Sequence, residues 1–213
     1  MEIYITKVSS LMEEFEQAEL YNRLPEFRRK AADCCGNRAD RDRSIAAGLL
    51  LRFCMQKRGV SLEEAPCFNE NGKMFFPRED KFYVNLSHGG DYAACALAPA
   101  DVGIDLEPVR RYRESVAKRI CSTEEMRELL KEKKEEERNR QFTKLWTRKE
   151  SMAKLSGEGI AMLLPSRNRT KPMDSRTATK TYTPAPGYFL SVSSHENDFP
   201  DRVRLLSPES LVR

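Results

Sequence analysis

The sequence predicts an α+β protein whose chain divides into two halves of similar length. Three segments have the alternating or apolar pattern of short strands: "MEIYITKVS", "KFYVNLSHGGDYAACALAP" and "DVGIDLEPV". Two long segments have helical spacing, one before and one after the third strand: "ADRDRSIAAGLLLRFCMQKRG" and "YRESVAKRICSTEEMRELLKEKKEEERNRQFTKLWTRKESMAKLSGEG". The 213 residues suffice for one large domain or for two of roughly 100 residues each. A boundary at residues 100–110 would give two similar halves.

Composition and charge exclude several classes of protein. The chain is 39% hydrophobic and 33% charged, and its net charge of +4 suits acidic partners or phosphorylated ligands without indicating nucleic acid by itself. No apolar run approaches the roughly 20 residues of a membrane span, and the first residues lack the pattern of a secretory signal. The 6 cysteines form no C-x-x-C pair and are typical of reduced thiols. We therefore expect a cytoplasmic protein without membrane or nucleic-acid partners.

The segment "GIDLE" places two carboxylates on one side of an expected strand. Residues two apart in a strand share a face, so Asp105 and Glu107 lie together while Ile104 and Leu106 face the core. Two neighbouring carboxylates repel each other unless they are exposed or a cation lies between them. Oxygen ligands of this kind suit Mg²⁺ or Mn²⁺. On spacing alone, an ordinary half-exposed strand remains the favoured interpretation.

Two other segments carry candidate functional side chains. In "WTRKESMAK", Glu150 and Lys154 are four residues apart and therefore neighbours on a helix. A surface ion pair is the simpler interpretation, and a metal ligand or base beside a phosphate-binding lysine is the functional one. In "NLSHGG", Ser87 and His88 point to opposite faces of a strand, so they do not form a nucleophile–base pair. They could hydrogen-bond a phosphate or simply end a strand.

The remaining patterns are weaker. The basic clusters "EFRRK", "DRDRS" and "NGKM" are more often solvated surface than binding sites, and the chain has neither a Walker loop nor a G-x-G-x-x-G motif. Asn71-Gly72 predicts a turn between apolar flanks. The polar segment 166–186 predicts a long loop or a mobile hairpin.

Five pieces occur in one order along the chain: a basic helix, "NGK", "NLSHGG", "GIDLE" and "WTRKESMAK". Together they closely resemble the 4′-phosphopantetheinyl transferases of the Sfp type. The loose pattern of that family is a G-K-P turn, N-[LI]-S-H, G-[IV]-D-x-E and W-[ST]-x-K-E-[SA]-x-x-K. The resemblance spans most of the chain, from Pro25 to the "PGY" at residues 186–188. Because four separate motifs coincide in order and spacing, their joint signal outweighs the simpler interpretation of each one.

The resemblance implies a reaction and a set of site residues. Its reaction moves the phosphopantetheine arm of coenzyme A to a serine of an apo acyl or peptidyl carrier protein and releases adenosine 3′,5′-bisphosphate. It implies that Asp105, Glu107 and Glu150 hold Mg²⁺, with Mn²⁺ as an alternative, and that Glu150 and Lys154 are catalytic. The residues implied to contact coenzyme A are Lys30, Arg43, Ser44, Lys73, Ser87 and His88.

The resemblance also implies the architecture. We expect a monomer built as a pseudo-twofold pair of similar α+β halves, residues 1–103 and 104–213, with the active site between them. The acidic helix of the carrier is expected to dock on residues 112–126. The chain departs from the family at Met74, where proline is common, and at residues 165–185, where a short polar stretch predicts a frayed or truncated sheet.

Two other functions remain as alternatives. A metal-dependent nuclease also uses acids on a strand, but "IDLEPV" lacks the lysine that such a motif usually contains. A non-catalytic module that binds carrier proteins would not need intact acids at positions 105, 107 and 150. Labelling that depends on coenzyme A and Mg²⁺ would separate the three functions.

Overall fold

The computed structural model describes residues 1–78, 82–159 and 175–213 of the chain. The strands within these ranges are β1 (Glu2–Lys7), β2 (Cys67–Phe68), β3 (Met74–Phe75), β4 (Tyr83–Gly89), β5 (Tyr92–Ala98), β6 (Val102–Pro108), β7 (Ala178–Tyr182), β8 (Tyr188–Ser194) and β9 (Arg204–Leu205). The helices are α1 (Val8–Glu14), α2 (Gln17–Asn22), α3 (Glu26–Asp33), α4 (Arg38–Arg58), α5 (Glu114–Ile120), α6 (Thr123–Lys131), α7 (Glu135–Ser156) and α8 (Pro208–Val212). The predicted α+β class is confirmed.

The first sheet has the strand order β4-β5-β1-β9 and packs against α4. Strand β5 is antiparallel to β4 and β1, whereas β9 adds a short parallel pairing to β1. Helix α4 begins at the Asn37 cap, whose side chain accepts the N–H of Asp40, and ends at Gly59 in the left-handed conformation. The predicted helix is confirmed, but residues 44–52 are buried without interruption, so the middle of α4 is enclosed on every side and a single apolar stripe is wrong there.

The second sheet has the strand order β6-β8-β7 and packs against α7. Two pairs of buried hydroxyls join the helix to the sheet. The hydroxyl oxygen of Thr147 lies 2.9 Å from that of Ser191, and the hydroxyl oxygen of Ser151 lies 2.8 Å from that of Ser193. The part of segment 166–186 that the structure describes contains strand β7, which pairs antiparallel with the next strand, β8, so of the two predicted alternatives the hairpin is confirmed there and the long loop is wrong. Residues 166–174 of that segment lie outside the described ranges.

Gly103 determines how closely α7 approaches the second sheet. A Cβ atom at this position would lie 2.1 Å from the carbonyl oxygen of Ser151 and 2.4 Å from the amide nitrogen of Leu155. Both atoms belong to the helix backbone and cannot move aside as a flexible side chain would. The first residue of "GIDLE" is therefore a packing requirement, and it brings the helix that carries Glu150 and Lys154 onto the strand that carries Asp105.

The two sheets meet along β4 and β6. Asn85 Oδ1 accepts the backbone N–H of Ile104 at 2.9 Å, and Ser87 Oγ accepts the N–H of Leu106 at 3.1 Å. Gly89 permits the close approach, because a Cβ there would lie 2.5 Å from the carbonyl oxygen of Leu106. Two strands from different sheets are thus joined by side-chain-to-backbone hydrogen bonds, in an arrangement called here the seam.

The twofold relation between the halves and the boundary after residue 103 stay predictions. Of the last elements, β9 pairs with β1 of the first sheet, and α8 packs on α4, the helix that covers this sheet. Of the helices that the structure describes, none has both the length and the apolar character of a membrane span.

Candidate active site

The acidic residues of β6 lie inside the protein. Asp105 is 5% exposed and Glu107 is 8% exposed, so a half-exposed strand, the interpretation that spacing alone favoured, is wrong. Ile104 and Leu106 point the other way, into a core that includes Leu190. The predicted division of the strand into an apolar and an acidic face is therefore confirmed, and both faces are covered.

Asp105 is held by side chains from two other elements. Lys154 Nζ on α7 donates to Oδ1 at 2.7 Å, and the Ser87 hydroxyl on β4 donates to the same oxygen at 3.0 Å. Lys154 also donates to Ser87 Oγ at 3.1 Å. The second oxygen, Oδ2, is buried and has no hydrogen-bond partner among the described residues. Lys154 therefore reaches across to β6 and does not form the helix-surface pair with Glu150 that its spacing allowed.

The charge of Asp105 acts on both of the other acids. Burial raises the pKa of Glu107 to about 7, and the negative charge of Asp105 adds to this effect while Arg110 opposes it. Burial and the charge of Asp105 also raise the pKa of Glu150, with Lys154 opposing. Bringing like charges together in a partly dry site is unfavourable unless a cation joins them.

These residues fit a divalent cation in chemistry and charge. Three carboxylates offer the hard oxygen ligands that Mg²⁺ and Mn²⁺ prefer, and the buried, unpaired Oδ2 of Asp105 is an open ligand position. Arg110 is paired with Glu107, and Lys154 with Asp105. Within the described ranges, no three acidic, histidine or cysteine side chains are close enough to hold a metal as they stand. Binding would therefore require these side chains to rearrange.

A cavity of about 330 Å³ lies beside the acids. Its wall contains side chains of α3, the β2–β3 hairpin, β4 and α7. Three cationic residues and one acid line it: Arg28, Lys73, Lys154 and Glu150. Cationic side chains around a cavity favour an anionic ligand, because lysine and arginine bind phosphate as charged donors.

The β2–β3 hairpin is fixed to the end of α7. Asn69 Oδ1 accepts the N–H groups of Asn71 and Lys73 within the turn, and its Nδ2 donates to the carbonyl of Gly157 at 3.2 Å. Lys73 Nζ donates to the carbonyl of Leu155 and to Asp101, each at 2.6 Å. The turn predicted at Asn71-Gly72 is confirmed, and it brings Lys73 to the cavity.

Further cationic side chains lie beside Arg28, at the edge of this cavity. Arg28 donates to the backbone carbonyl of Ser44 at 3.0 Å and to its hydroxyl at 3.3 Å. Arg43 donates to the carbonyl of Gly90 at 3.3 Å. His88 is exposed, but the surrounding protein and the charges of Arg43, Arg28 and Lys154 lower its pKa. His88 therefore favours the neutral form unless an anion binds nearby.

Of the predicted site residues, Lys73, Glu150 and Lys154 line the described cavity, and Lys30 does not. Its ammonium pairs with Glu26 at 2.7 Å on the outside of α3, and its side chain is 74% exposed. Arg28, two residues earlier in the same basic cluster, lines the cavity instead. A role for Lys30 in ligand binding stays a prediction.

Sequence reasoning missed three residues of this region. Asn85 forms the seam and lines the cavity, although "NLSHGG" had drawn attention only to Ser87 and His88. Arg110 pairs with Glu107, and no motif marked it. Asn69 anchors the hairpin to α7. For Asn85, a short polar residue at a strand position where an apolar one is usual could have been a signal.

The raised pKa of Glu107 predicts a pH dependence of stability in the metal-free protein. Its folded pKa of about 7 lies above the ordinary value of 4.5, so the folded state binds this proton more tightly than the unfolded state does. The free energy of unfolding should therefore fall as pH rises between these two values. Glu107→Gln removes this contribution, and its stability should fall less over the same range.

Urea denaturation in EDTA at about pH 4.5 and about pH 7.5, for wild type and Glu107→Gln, checks this difference. The same loss of stability in both proteins would contradict the assigned titration.

Comparison with known proteins identifies the class. A model of the 4′-phosphopantetheinyl transferase superfamily matches residues 101–203, the part of the chain that carries the three acids and Lys154. The chain is 28% identical over 190 residues to the 4′-phosphopantetheinyl transferase Sfp of Bacillus subtilis strain 168, covering 83% of this chain and 84% of that relative. It is 27% identical over 186 residues to the 4′-phosphopantetheinyl transferase psf-1 of Bacillus pumilus, covering 81% and 79%.

A shorter match is the 4′-phosphopantetheinyl transferase HetI of Nostoc sp. strain PCC 7120, 35% identical over 130 residues, 57% of this chain and 50% of that relative. The protein is therefore an enzyme of the 4′-phosphopantetheinyl transferase class. Its similarity to Sfp and psf-1 extends over most of the chain, and the Sfp-type recognition made from the motifs is confirmed.

Proposed function

We propose that this protein transfers the 4′-phosphopantetheine arm of coenzyme A to a serine of an apo carrier protein, with Mg²⁺ required. In this reaction the serine oxygen bonds to the phosphorus that carries the pantetheine arm. The bond from that phosphorus to the adenosine bisphosphate breaks, and adenosine 3′,5′-bisphosphate leaves. The observation that carries the proposal is a cation-lined cavity directly beside buried carboxylates. This pairing suits a phosphorylated substrate that binds together with a divalent cation.

We assign each side chain a role in the reaction from its position. Arg28 and Lys73 bind the phosphates of coenzyme A in the cavity, and Arg43, Ser44 and His88 extend this surface at its side. Lys154 stabilises the negative charge that develops on the leaving bisphosphate. Asp105, Glu107 and Glu150 would hold Mg²⁺, which supplies positive charge to the pyrophosphate and orients it for transfer.

Glu150 is the proposed acceptor of the serine proton. It lines the cavity, and burial together with the charge of Asp105 raises its pKa. A carboxylate with a raised pKa is a stronger base than a solvated glutamate. The substrate serine would therefore have to approach from the cavity side of α7.

The wider architecture belongs to the same proposal. We expect a monomer in which residues 1–103 and 104–213 form the two halves and the active site lies between them. In support, the cavity wall combines Arg28 and Lys73 from before the boundary with Glu150 and Lys154 from after it.

We further propose that the carrier docks in a groove on the second half, called here the basic groove. It has a volume of about 460 Å³ and combines three arginines with apolar side chains: Arg110, Arg111, Arg113, Val116, Phe142 and Trp146. An acidic amphipathic helix complements such a surface, since its carboxylates would meet the arginines and its apolar residues the aromatic rings. The groove overlaps the residue range 112–126 that the sequence indicated.

Intact-mass spectrometry of an apo carrier protein tests the function directly. Incubated with this enzyme, coenzyme A and Mg²⁺, the carrier should gain the mass of one phosphopantetheine group, and EDTA should prevent the gain. If a well-folded enzyme modifies no acyl or peptidyl carrier, a non-catalytic binding module becomes the better explanation. Metal-dependent cutting of DNA or RNA would favour a nuclease.

Lys154→Met should lower kcat by about 100-fold while changing the KM for coenzyme A much less, because a donor aimed at developing charge acts mainly in the transition state. Lys144→Met on the same helix is the matched control, since Lys144 is exposed and lies outside the described site. Its kcat should stay within about twofold of wild type. A large rise in KM with unchanged kcat in Lys154→Met would make Lys154 a binding residue only.

A further inference from the structure

Arg110 connects the acids to the basic groove. Its guanidinium pairs with the Glu107 carboxylate, while its backbone N–H donates to the Thr143 hydroxyl of α7 at 2.9 Å. The Glu107 side chain is 11% exposed and that of Arg110 is 53% exposed. The guanidinium therefore extends from the solvent-exposed groove to a carboxylate that is almost fully enclosed.

The groove offers Arg110 an alternative set of partners. Arg110 lines it together with Arg111 and Arg113, so three positive charges share one concave surface. Like charges held close together repel one another, and an acidic ligand relieves that repulsion. A half-exposed arginine can turn to a new partner, because its side chain is long and flexible and its charged end already reaches solvent.

We propose that Arg110 is a latch on the metal site. Its guanidinium competes with a divalent cation for the Glu107 carboxylate, and an acidic carrier segment docked in the basic groove draws it away. The inference rests on the proposed function, since it takes Glu107 as a metal ligand and a carrier protein as the partner. Carrier docking would thereby complete the set of metal ligands.

This competition makes metal binding and carrier binding mutually favourable. A carrier that removes Arg110 from Glu107 strengthens metal binding, and by thermodynamic linkage the metal must strengthen carrier binding by the same factor. The enzyme would thus hold its metal most tightly when its acceptor is present. Hydrolysis of coenzyme A without an acceptor would be disfavoured by the same coupling.

Direct measurement of Mn²⁺ binding by electron paramagnetic resonance tests the latch without relying on turnover. The full chain is titrated with Mn²⁺ as wild type, Arg110→Gln and Arg111→Gln. Arg110→Gln should bind Mn²⁺ about 3- to 10-fold more tightly, because it removes both the competing partner and a nearby positive charge. Arg111 is the matched control: it is 83% exposed and pairs with Glu135 at 3.5 Å. Its variant should stay within about twofold of wild type.

A second titration adds a carrier whose acceptor serine is replaced by alanine, so that no transfer occurs. This carrier should tighten Mn²⁺ binding to wild type and have little effect on Arg110→Gln. Unchanged or weaker Mn²⁺ binding in Arg110→Gln, with a wild-type circular dichroism spectrum, would overturn the latch. Arg110→Lys keeps the charge and should stay closer to wild type than Arg110→Gln; equal tightening in both would also contradict the latch.

Transfer activity of the wild type, measured in parallel, distinguishes failure of the latch from failure of the proposed function. If the wild type modifies its carrier while Arg110→Gln binds Mn²⁺ as the wild type does, the latch is wrong and the function stands. If the wild type binds no Mn²⁺ at millimolar concentrations, the metal assignment fails and the latch with it.

Discussion

Asp105→Asn is expected to lower the rate of phosphopantetheine transfer by at least about 100-fold, since a metal ion supplies several kcal/mol of charge stabilisation and about 1.4 kcal/mol is tenfold in rate. The change keeps the shape of the side chain and removes its charge. Burial and the charge of Asp105 together raise the pKa of Glu107 and of Glu150, so loss of Asp105 removes the charge that acts on both other acids.

The fold should survive this substitution. Lys154, the ion-pair partner of Asp105, is 30% exposed and can turn toward solvent, so no unpaired charge is left buried. Thermal unfolding and carrier modification should be measured together, with Asp198→Asn as the control because that carboxylate is 80% exposed. An active Asp105→Asn enzyme with the Mg²⁺ dependence of wild type would refute the metal assignment.

Gly103→Ala is expected to destabilise the protein by about 3 kcal/mol, the upper end of the usual cost of overpacking a well-filled core. The added Cβ would lie 2.1 Å from the Ser151 carbonyl oxygen, so α7 must move away from β6. Because α7 carries Glu150 and Lys154, the displacement should also lower transfer activity.

Urea denaturation checks the stability change through the midpoint and its slope. Gly36→Ala is the matched control, because a Cβ there meets no atom within 4 Å and the change should cost less than about 0.5 kcal/mol. If Gly103→Ala were as stable as Gly36→Ala, the close packing of α7 on β6 would be wrong.

The elements that could be predicted from the sequence are those with strong local patterns. Strand β6, helix α4 and the Asn71-Gly72 turn each follow from periodicity or from turn chemistry confined to a few neighbouring residues. The class of enzyme followed from motifs, because four short patterns in fixed order leave few alternatives. Strand β7 was harder to predict, since its polar residues show no apolar alternation and only its pairing with β8 identifies it as a strand.

The details of the site depend on contacts that no local pattern contains. Arg28 and Lys30 are equally basic neighbours, yet only Arg28 lines the cavity, because α3 turns one toward α4 and leaves the other outside. Spacing alone allowed a pair between Glu150 and Lys154, whereas the approach of α7 to β6 gives Lys154 a buried partner instead. Long-range packing therefore decided which of several plausible side chains meet.

The seam between β4 and β6 has a consequence for dynamics. The backbone N–H groups of Ile104 and Leu106 donate hydrogen bonds to the side chains of Asn85 and Ser87, which lie on the other sheet. These two hydrogens can exchange with solvent deuterium only when the sheets separate locally or the protein unfolds. Their exchange rates would therefore report how often the protein opens around Asp105 and Glu107.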